Sequence, residues 1–211
     1  MCLTEPQASA CAIARAKARG SGIISGMDRR VAECIQRLER FMTTVDDAMA
    51  VPREAGAFMH ALILAMRARR AVEIGTSYGY SGLWIGSALA ENGGKMVTID
   101  RDPRKIASAR STFENAGLGR VIELRTGEAL EVLPALDGPF DFMLNDADKQ
   151  NCRRYLEIAA GNLSERGIIL TDNTITHADQ LVGFVQWVRG LEGFFSTRIP
   201  VGNGMEMTVR I

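Results

Sequence analysis

The chain has 211 residues, with 25 Lys and Arg against 25 Asp and Glu, two His, and 46% hydrophobic residues. This length suits one domain with a substantial core, and zero formal net charge with a pI near 6.7 gives no global pull toward nucleic acid or anionic membrane. No apolar run reaches the ~18 residues that span a bilayer, and the apolar content is too high and too even for a disordered chain.

Cys2, Cys11, Cys34 and Cys152 are far apart and form no Cys-x-x-Cys pair. That spacing speaks against a structural zinc site and a disulfide scaffold. The first 27 residues are rich in Ala, Gly and Ser and read as an arm without the apolar core of a signal peptide. A reduced, cytoplasmic protein is the expectation, with the arm at 1–27 and a single domain at 28–211 whose first part, 28–68, is helical.

From Asp28 the pattern sharpens. Val31, Cys34, Ile35, Leu38, Phe41, Met42 and Val45 recur at helical spacing, with Asp28 as N-cap. A second helical stripe, Phe58, Met59, Leu62, Ile63 and Met66, follows Pro52. The rhythm then alternates between short apolar runs and helical stretches. Strands are expected at 71–75, 95–100, 121–125, 140–146 and 167–172, with helices after each. Residues 194–200 and 205–211 flank Val201-Gly202-Asn203-Gly204, a strong hairpin signal. In the last strand Met205, Met207, Val209 and Ile211 share one face, and Glu206, Thr208 and Arg210 the other. Five βα units and a terminal hairpin predict a doubly wound, Rossmann-like α/β fold with seven strands, mostly parallel, and helices on both faces.

In such a sheet, ligands bind beyond the carboxyl ends of the strands. The first turn, Glu73-Ile74-Gly75-Thr76-Ser77-Tyr78-Gly79, has neither the G-x-G-x-x-G of dinucleotide enzymes nor the lysine of a P-loop. Asp100 ends the second strand, where a carboxylate can accept from both ribose hydroxyls of an adenosyl ligand; it could equally cap the next helix. Asp146, Asp172 and Asn173 end the fourth and fifth strands. Oxygen donors without His or thiolate suit Mg²⁺, Mn²⁺ or Ca²⁺, although strand-end Asp residues also serve as helix caps.

Here the residues carry a resemblance. V-E-I-G-T-x-x-G-Y-S, T-I-D, F-D-F-x-x-x-D-A-D-K, T-D-N and the closing P-V-G-N-G resemble the cation-dependent O-methyltransferases, the family of the caffeoyl-CoA and catechol methyltransferases. The resemblance runs in order from about Val51 to the C-terminus. It implies S-adenosylmethionine held by Glu73, Gly75, Thr76, Ser81, Asp100, Ala129 and Asp148, with Val51 at the cofactor mouth. It implies a divalent cation, Mg²⁺ before Mn²⁺ or Ca²⁺, on Asp146, Asp172 and Asn173, and Lys149 as the base that takes the acceptor's proton. It also implies a homodimer, for which the helix from Asp28 and the terminal strand offer apolar contact.

The acceptor implied is a small vicinal diol of the catechol type. Two departures from the family pattern bear on it. Asn145 stands where members usually carry an apolar residue, and after Asn173 the long insertion of many relatives is missing; His177, the candidate substrate contact, falls where some relatives use a polar one. The shortened loop favours a second reading, a non-aromatic or carrier-bound hydroxyl as acceptor. A third is a nucleoside-cofactor-binding module without catalysis. Of the aromatic residues, Tyr78 is the best candidate to line a pocket, while Trp84 and Trp187 read as packing. His60 reads as a packed histidine, and Arg67, Arg69 and Arg70 as a solvated helix end.

Overall fold

A computed structural model describes residues 26–211. The expected arm lies outside the described residues apart from its last two positions, as do Cys2 and Cys11. Cys34 and Cys152 are buried free thiols.

The first stripe forms helix α1 (Arg29–Met42), and the Asp28 side chain accepts from the Arg30 amide as its N-cap. Pro52 precedes α2 (Arg53–Met66), which ends at Arg67 in the left-handed conformation. The alternating units follow: β1 (Arg70–Ile74), α3 (Tyr80–Glu91), β2 (Lys95–Asp100), α4 (Pro103–Asn115), β3 (Ile122–Thr126), α5 (Ala129–Val132), β4 (Phe140–Asn145), α6 (Cys152–Ala160), β5 (Leu163–Asp172) and α7 (Ala178–Arg189). The hairpin strands β6 (Phe194–Ile199) and β7 (Met205–Arg210) complete the chain.

The seven strands lie in the order β3-β2-β1-β4-β5-β7-β6. β3, β2, β1, β4 and β5 are parallel, and β7 runs antiparallel between β5 and β6. The order reverses between β1 and β4, which opens a crevice at their carboxyl ends. One apolar core, with Ile35, Met59, Trp84 and Phe113, lies under α1 to α4. The other, with Met143, Leu156, Ile169 and Leu181, lies under α5 to α7.

Several expectations change. β5 begins at Leu163 rather than Gly167, because the Asn162 carbonyl already accepts from the Phe140 amide; the β4–β5 register then slips between Phe140 and Phe142. The stripe of α1 is spent on the chain's own core, with Val31, Cys34, Ile35 and Leu38 all buried, and β7 is interior. Phe41 of the α1 stripe and Ile211 after β7 remain exposed, as does Phe195 on the edge strand β6. The polar face of β7 is not solvated. Glu206 and Thr208 are fully buried, and Glu206 is held by two bonds from Arg189 (2.7 and 2.9 Å) on α7 and one from Ser196 (3.0 Å). Arg69 and Arg70 do more than solvate a helix end. Their amides both donate to Asp141 Oδ2 (2.8 and 3.0 Å), and the Arg70 guanidinium donates to the Asp137 and Gly138 carbonyls. No helix of the described residues is long and apolar enough to cross a membrane.

Candidate active site

A cleft of about 860 Å³ opens over the carboxyl ends of β1, β2, β4 and β5, within the size range of small-molecule sites. Its lining includes Val51, Gly75, Thr76, Ser81, Asp100, Ala129, Asp146, Asp148, Lys149, Asp172, Asn173 and His177. The residues singled out in the sequence therefore meet in one place, with one exception. Glu73 is fully buried beneath the floor. It accepts from the Thr98 hydroxyl at 2.5 Å, and that hydroxyl meets the Thr76 hydroxyl at 2.5 Å. Glu73 thus reaches the cleft through Thr76. Burial raises its pKa from 4.5 to about 7, against the opposing bonds from Ser81 and Thr98.

The glycine turn is shaped by a close approach. Gly75 has φ +98°, and a Cβ there would run into the Asp146 carbonyl, so the turn after β1 and the tip of β4 touch only because Gly75 has no side chain. Asp100 completes this end. Its Oδ2 accepts from the Ser77 amide at 2.7 Å and its Oδ1 from the Asp102 amide at 3.0 Å, which orients the carboxylate and leaves lone pairs for further donors. Asp148 is also pre-set. Oδ1 takes the Asn151 amide and side chain (3.1 and 2.7 Å), and Oδ2 takes the Tyr155 hydroxyl at 2.7 Å.

The other end is anionic. Asn145 on β4 pairs with Thr171 on β5, so Asp146 and Asp172, each the next residue, stand side by side. Asp172 is 1% exposed, and neither of its carboxylate oxygens has a hydrogen-bond partner. Burial raises its pKa, while the Asn173 backbone amide, Lys149 and the Asn203 side chain lie near enough to oppose the shift without completing a hydrogen bond. The pKa of Asp146 is raised by burial first and then by the charge of Asp172. Lys149 stands beside them, its Nζ 3.3 Å from Asp146 Oδ1 and 3.0 Å from the Ala147 carbonyl. Asn173 adopts φ +68°, and its side-chain Nδ2 donates to the Thr176 hydroxyl at 3.4 Å.

This donor set fits a hard divalent cation. Two desolvated carboxylates raise each other's proton affinity, and a buried pair of orphaned oxygens is relieved by a cation better than by a single lysine. Among the described residues no three His, Cys, Asp or Glu side chains are grouped for a metal; the third protein donor would be the Asn173 amide oxygen.

Some lining residues carried no legible signal. Asn203 read only as a turn residue, yet its carbonyl accepts from the Ile175 and Thr176 amides (3.0 and 3.3 Å), which seats the 173–177 loop at the cleft, and the residue itself lines the cavity. Tyr155 read as one residue of a helical stretch. Tyr78 and Tyr80 line the cleft, whereas Trp84 is core and Trp187 packs under Arg153. His60 is held by the Trp84 carbonyl at 3.1 Å.

An α/β sheet with this strand order and a ligand cleft at its switch point defines the Rossmann-like class of nucleoside-binding folds. A family model for O-methyltransferases matches residues 26–183, and the chain belongs to that family. Relatives include proteins named catechol O-methyltransferase from Niastella koreensis (37% identical over 133 residues, 61% of this chain and 59% of that protein) and Mycobacterium tuberculosis (38% over 129 residues, 60% and 58%). The chain therefore matches less than two thirds of the length of these two. The O-methyltransferase ankF of Aspergillus thermomutatus is 40% identical over 168 residues, 67% of this chain and 70% of that protein. Among solved structures, an O-methyltransferase from Bacillus cereus in complex with SAH (S-adenosylhomocysteine) superposes with TM-score 0.76 at 27% identity, covering 90% of this chain and 94% of that one. TomG of Streptomyces achromogenes, involved in tomaymycin synthesis and in complex with SAM (S-adenosylmethionine), gives TM-score 0.76 at 26% identity over 99% of both chains.

Proposed function

We propose that this protein is an S-adenosylmethionine-dependent, divalent-cation-dependent O-methyltransferase acting on a small vicinal diol of the catechol type. One observation carries the reading. A single cleft joins a glycine turn and oriented Asp100 at one end to a pair of buried carboxylates at the other, with both oxygens of Asp172 unpartnered. The names of the catechol methyltransferase relatives and the SAM and SAH complexes of the structural neighbours support it.

In this reading Asp100 binds the ribose hydroxyls. Gly75, Thr76 and Ser81, supported from below by Glu73, hold the amino-acid part of the donor, with Val51, Ala129 and Asp148 around it. Asp146, Asp172 and Asn173 hold the cation, Mg²⁺ in the first instance. When bound, the cation and the donor supply a lowered hydroxyl pKa and an activated methyl group. The chain's own work is positional. The strand tips fix acceptor and donor within one enclosure, which converts a bimolecular encounter into an oriented one. Lys149 Nζ lies beside Asp146 and, in its neutral amine form, would take up the acceptor's proton. His177, at the N-terminus of α7, lines the same end and would contact the acceptor.

The test is direct. Purified protein with the methyl donor should methylate a panel of catechols, lose activity in EDTA and regain it with Mg²⁺ or Mn²⁺. Undiminished metal rescue in Asp146→Ala would remove the cation from its assigned site. A second reading has its own observation. α7 begins at Ala178, five residues after Asn173, and Thr176, Gln180 and Asn203 make the cleft wall there polar. That wall suits a non-aromatic or carrier-bound hydroxyl, and turnover of such a substrate with catechols inert would decide for it. Cofactor binding without turnover of any diol would leave a binding module. A homodimer and a cytoplasmic location complete the proposal, and sedimentation of the purified protein tests the first.

A further inference from the structure

The segment between β4 and α6 holds the acidic and basic groups of the proposed site within six residues: Asp146, Asp148 and Lys149 all lie on the 146–151 loop. The loop is anchored at its base by a side chain that lines no cavity. Asn145, the last residue of β4, is 0% exposed. Its Nδ2 donates to the carbonyl of Cys152, the first residue of α6, at 3.2 Å, and to the Thr171 hydroxyl of β5 at 3.4 Å. The loop thus leaves the sheet at Asn145 and re-enters the fold at the residue Asn145 holds. Cys152 passes the constraint on, because its thiol donates to the Asp148 carbonyl at 3.7 Å. Thr171 passes it sideways, being the residue before Asp172.

The amide makes these bonds at a standing cost. Oδ1 of Asn145 is buried without any partner, and a buried acceptor without a donor destabilises the fold. A leucine would fill much the same volume without that cost, but it could hold neither α6 nor β5. A buried polar group with such a cost is expected where its bonds specify a geometry.

We propose that Asn145 is a positioning residue that staples the 146–151 loop, and so sets the placement of Asp146, Asp148 and Lys149 relative to Asp172. The consequence for metal binding rests on the function proposed above; the staple itself does not.

The experiment compares Asn145→Leu, Thr171→Val and Thr171→Ser with wild type in the full chain, by hydrogen exchange resolved to peptides and by Mn²⁺ titration. Asn145→Leu should speed exchange of the 147–151 amides at least tenfold, while amides of β2 and β3 keep their rates and the melting temperature stays level or rises. Its Mn²⁺ affinity should fall about tenfold, as for other groups that orient metal ligands from behind. Thr171→Val should move the same way by a smaller factor, and Thr171→Ser, which keeps the hydroxyl, should restore wild-type exchange. Loop exchange within twofold of wild type in Asn145→Leu overturns the staple. Should that variant fail to fold, equal loop exchange in Thr171→Val and Thr171→Ser overturns it, and the expected split upholds it. Wild type that binds no Mn²⁺ removes the metal reading, and the exchange data still decide the staple.

Discussion

The hydroxyl of Tyr78 donates to Oδ1 of Asp47 at 2.7 Å, tying the glycine turn to the loop between α1 and α2. Lys105 joins from α4, its Nζ 2.9 Å from the Asp47 carbonyl and 5.5 Å from the centre of the Tyr78 ring. Phe41 meets the same ring edge-on at 5.1 Å. Ala48 to Val51, which follow Asp47, line the cleft. The contact therefore holds a strap over the proposed donor end. Tyr78→Phe and Asp47→Ala should each accelerate dissociation of S-adenosylhomocysteine by about three- to tenfold in stopped flow. Stability should hardly change, as expected for contacts at the surface. An unchanged off-rate would mean that the strap does not cover the donor.

The unpartnered oxygens of Asp172 predict what happens when the pair is broken. Asp172→Asn removes a charge that burial penalises and that raises the pKa of Asp146, so the metal-free protein should melt higher than wild type. The same change should weaken Mn²⁺ binding by at least about tenfold. Calorimetry reads both. A variant less stable than wild type, with metal affinity intact, would show that Asp172 serves the fold alone.

Glu73 predicts a pH dependence with a definite sign. Its pKa in the folded protein, about 7, stands above its ordinary 4.5, so between these values the folded state binds more protons than the unfolded chain. Its contribution to stability is complete below about pH 4.5 and is lost as pH rises through 7. Asp146 and Asp172 are shifted the same way, so the difference between proteins isolates Glu73. Melting temperatures of wild type should fall more steeply from pH 5 to pH 8 than those of Glu73→Gln, and the variant should be the more stable at pH 8. Parallel curves would place the titration elsewhere.

The Arg189–Glu206 pair makes a prediction about the fold itself. Glu206 is fully buried, and the guanidinium reaches both of its oxygens. Arg189→Ala leaves Ser196 as the carboxylate's remaining side-chain donor; because the guanidinium is 42% exposed, water offsets part of the loss, and the cost should be about 1–3 kcal/mol, or on the order of 2–12 °C in Tm for a chain of this size. Arg189→Met with Glu206→Leu should recover most of the loss, since a leucine at the buried position needs no charged partner. Thermal denaturation of the single and double variants tests both statements.

Much of this arrangement was legible in the sequence because it follows from local chemistry. The periodicity of Val31 to Leu38 defines a helix face whatever lies against it, and Val-Gly-Asn-Gly turns a hairpin by its own backbone preferences. Asp100 and Asp146 were legible because a strand end followed by a helix puts a carboxylate at the ligand-binding edge in any sheet of this type. Other features needed the partner element. Glu206 alternates with Met205 and Met207, which assigns it a face of β7 but not its surroundings; only α7, crossing that face with Arg189, makes it core. Asn203 reads as a turn residue until the hairpin is seen to carry the 173–177 loop. Asn145 stands out in the sequence as an amide in an apolar position, but its partners, Cys152 and Thr171, are assigned by packing.

The sequence by itself therefore determined the order of elements, the parallel sheet and the set of polar residues at its carboxyl edge, because hydrophobic period and turn chemistry act over a few residues. The tertiary structure decided which of those residues share a cleft, which are oriented by others from below, and which charge is buried. Those outcomes depend on distances between segments 22 to 72 positions apart, and on the loss of water when they meet, which no local pattern encodes.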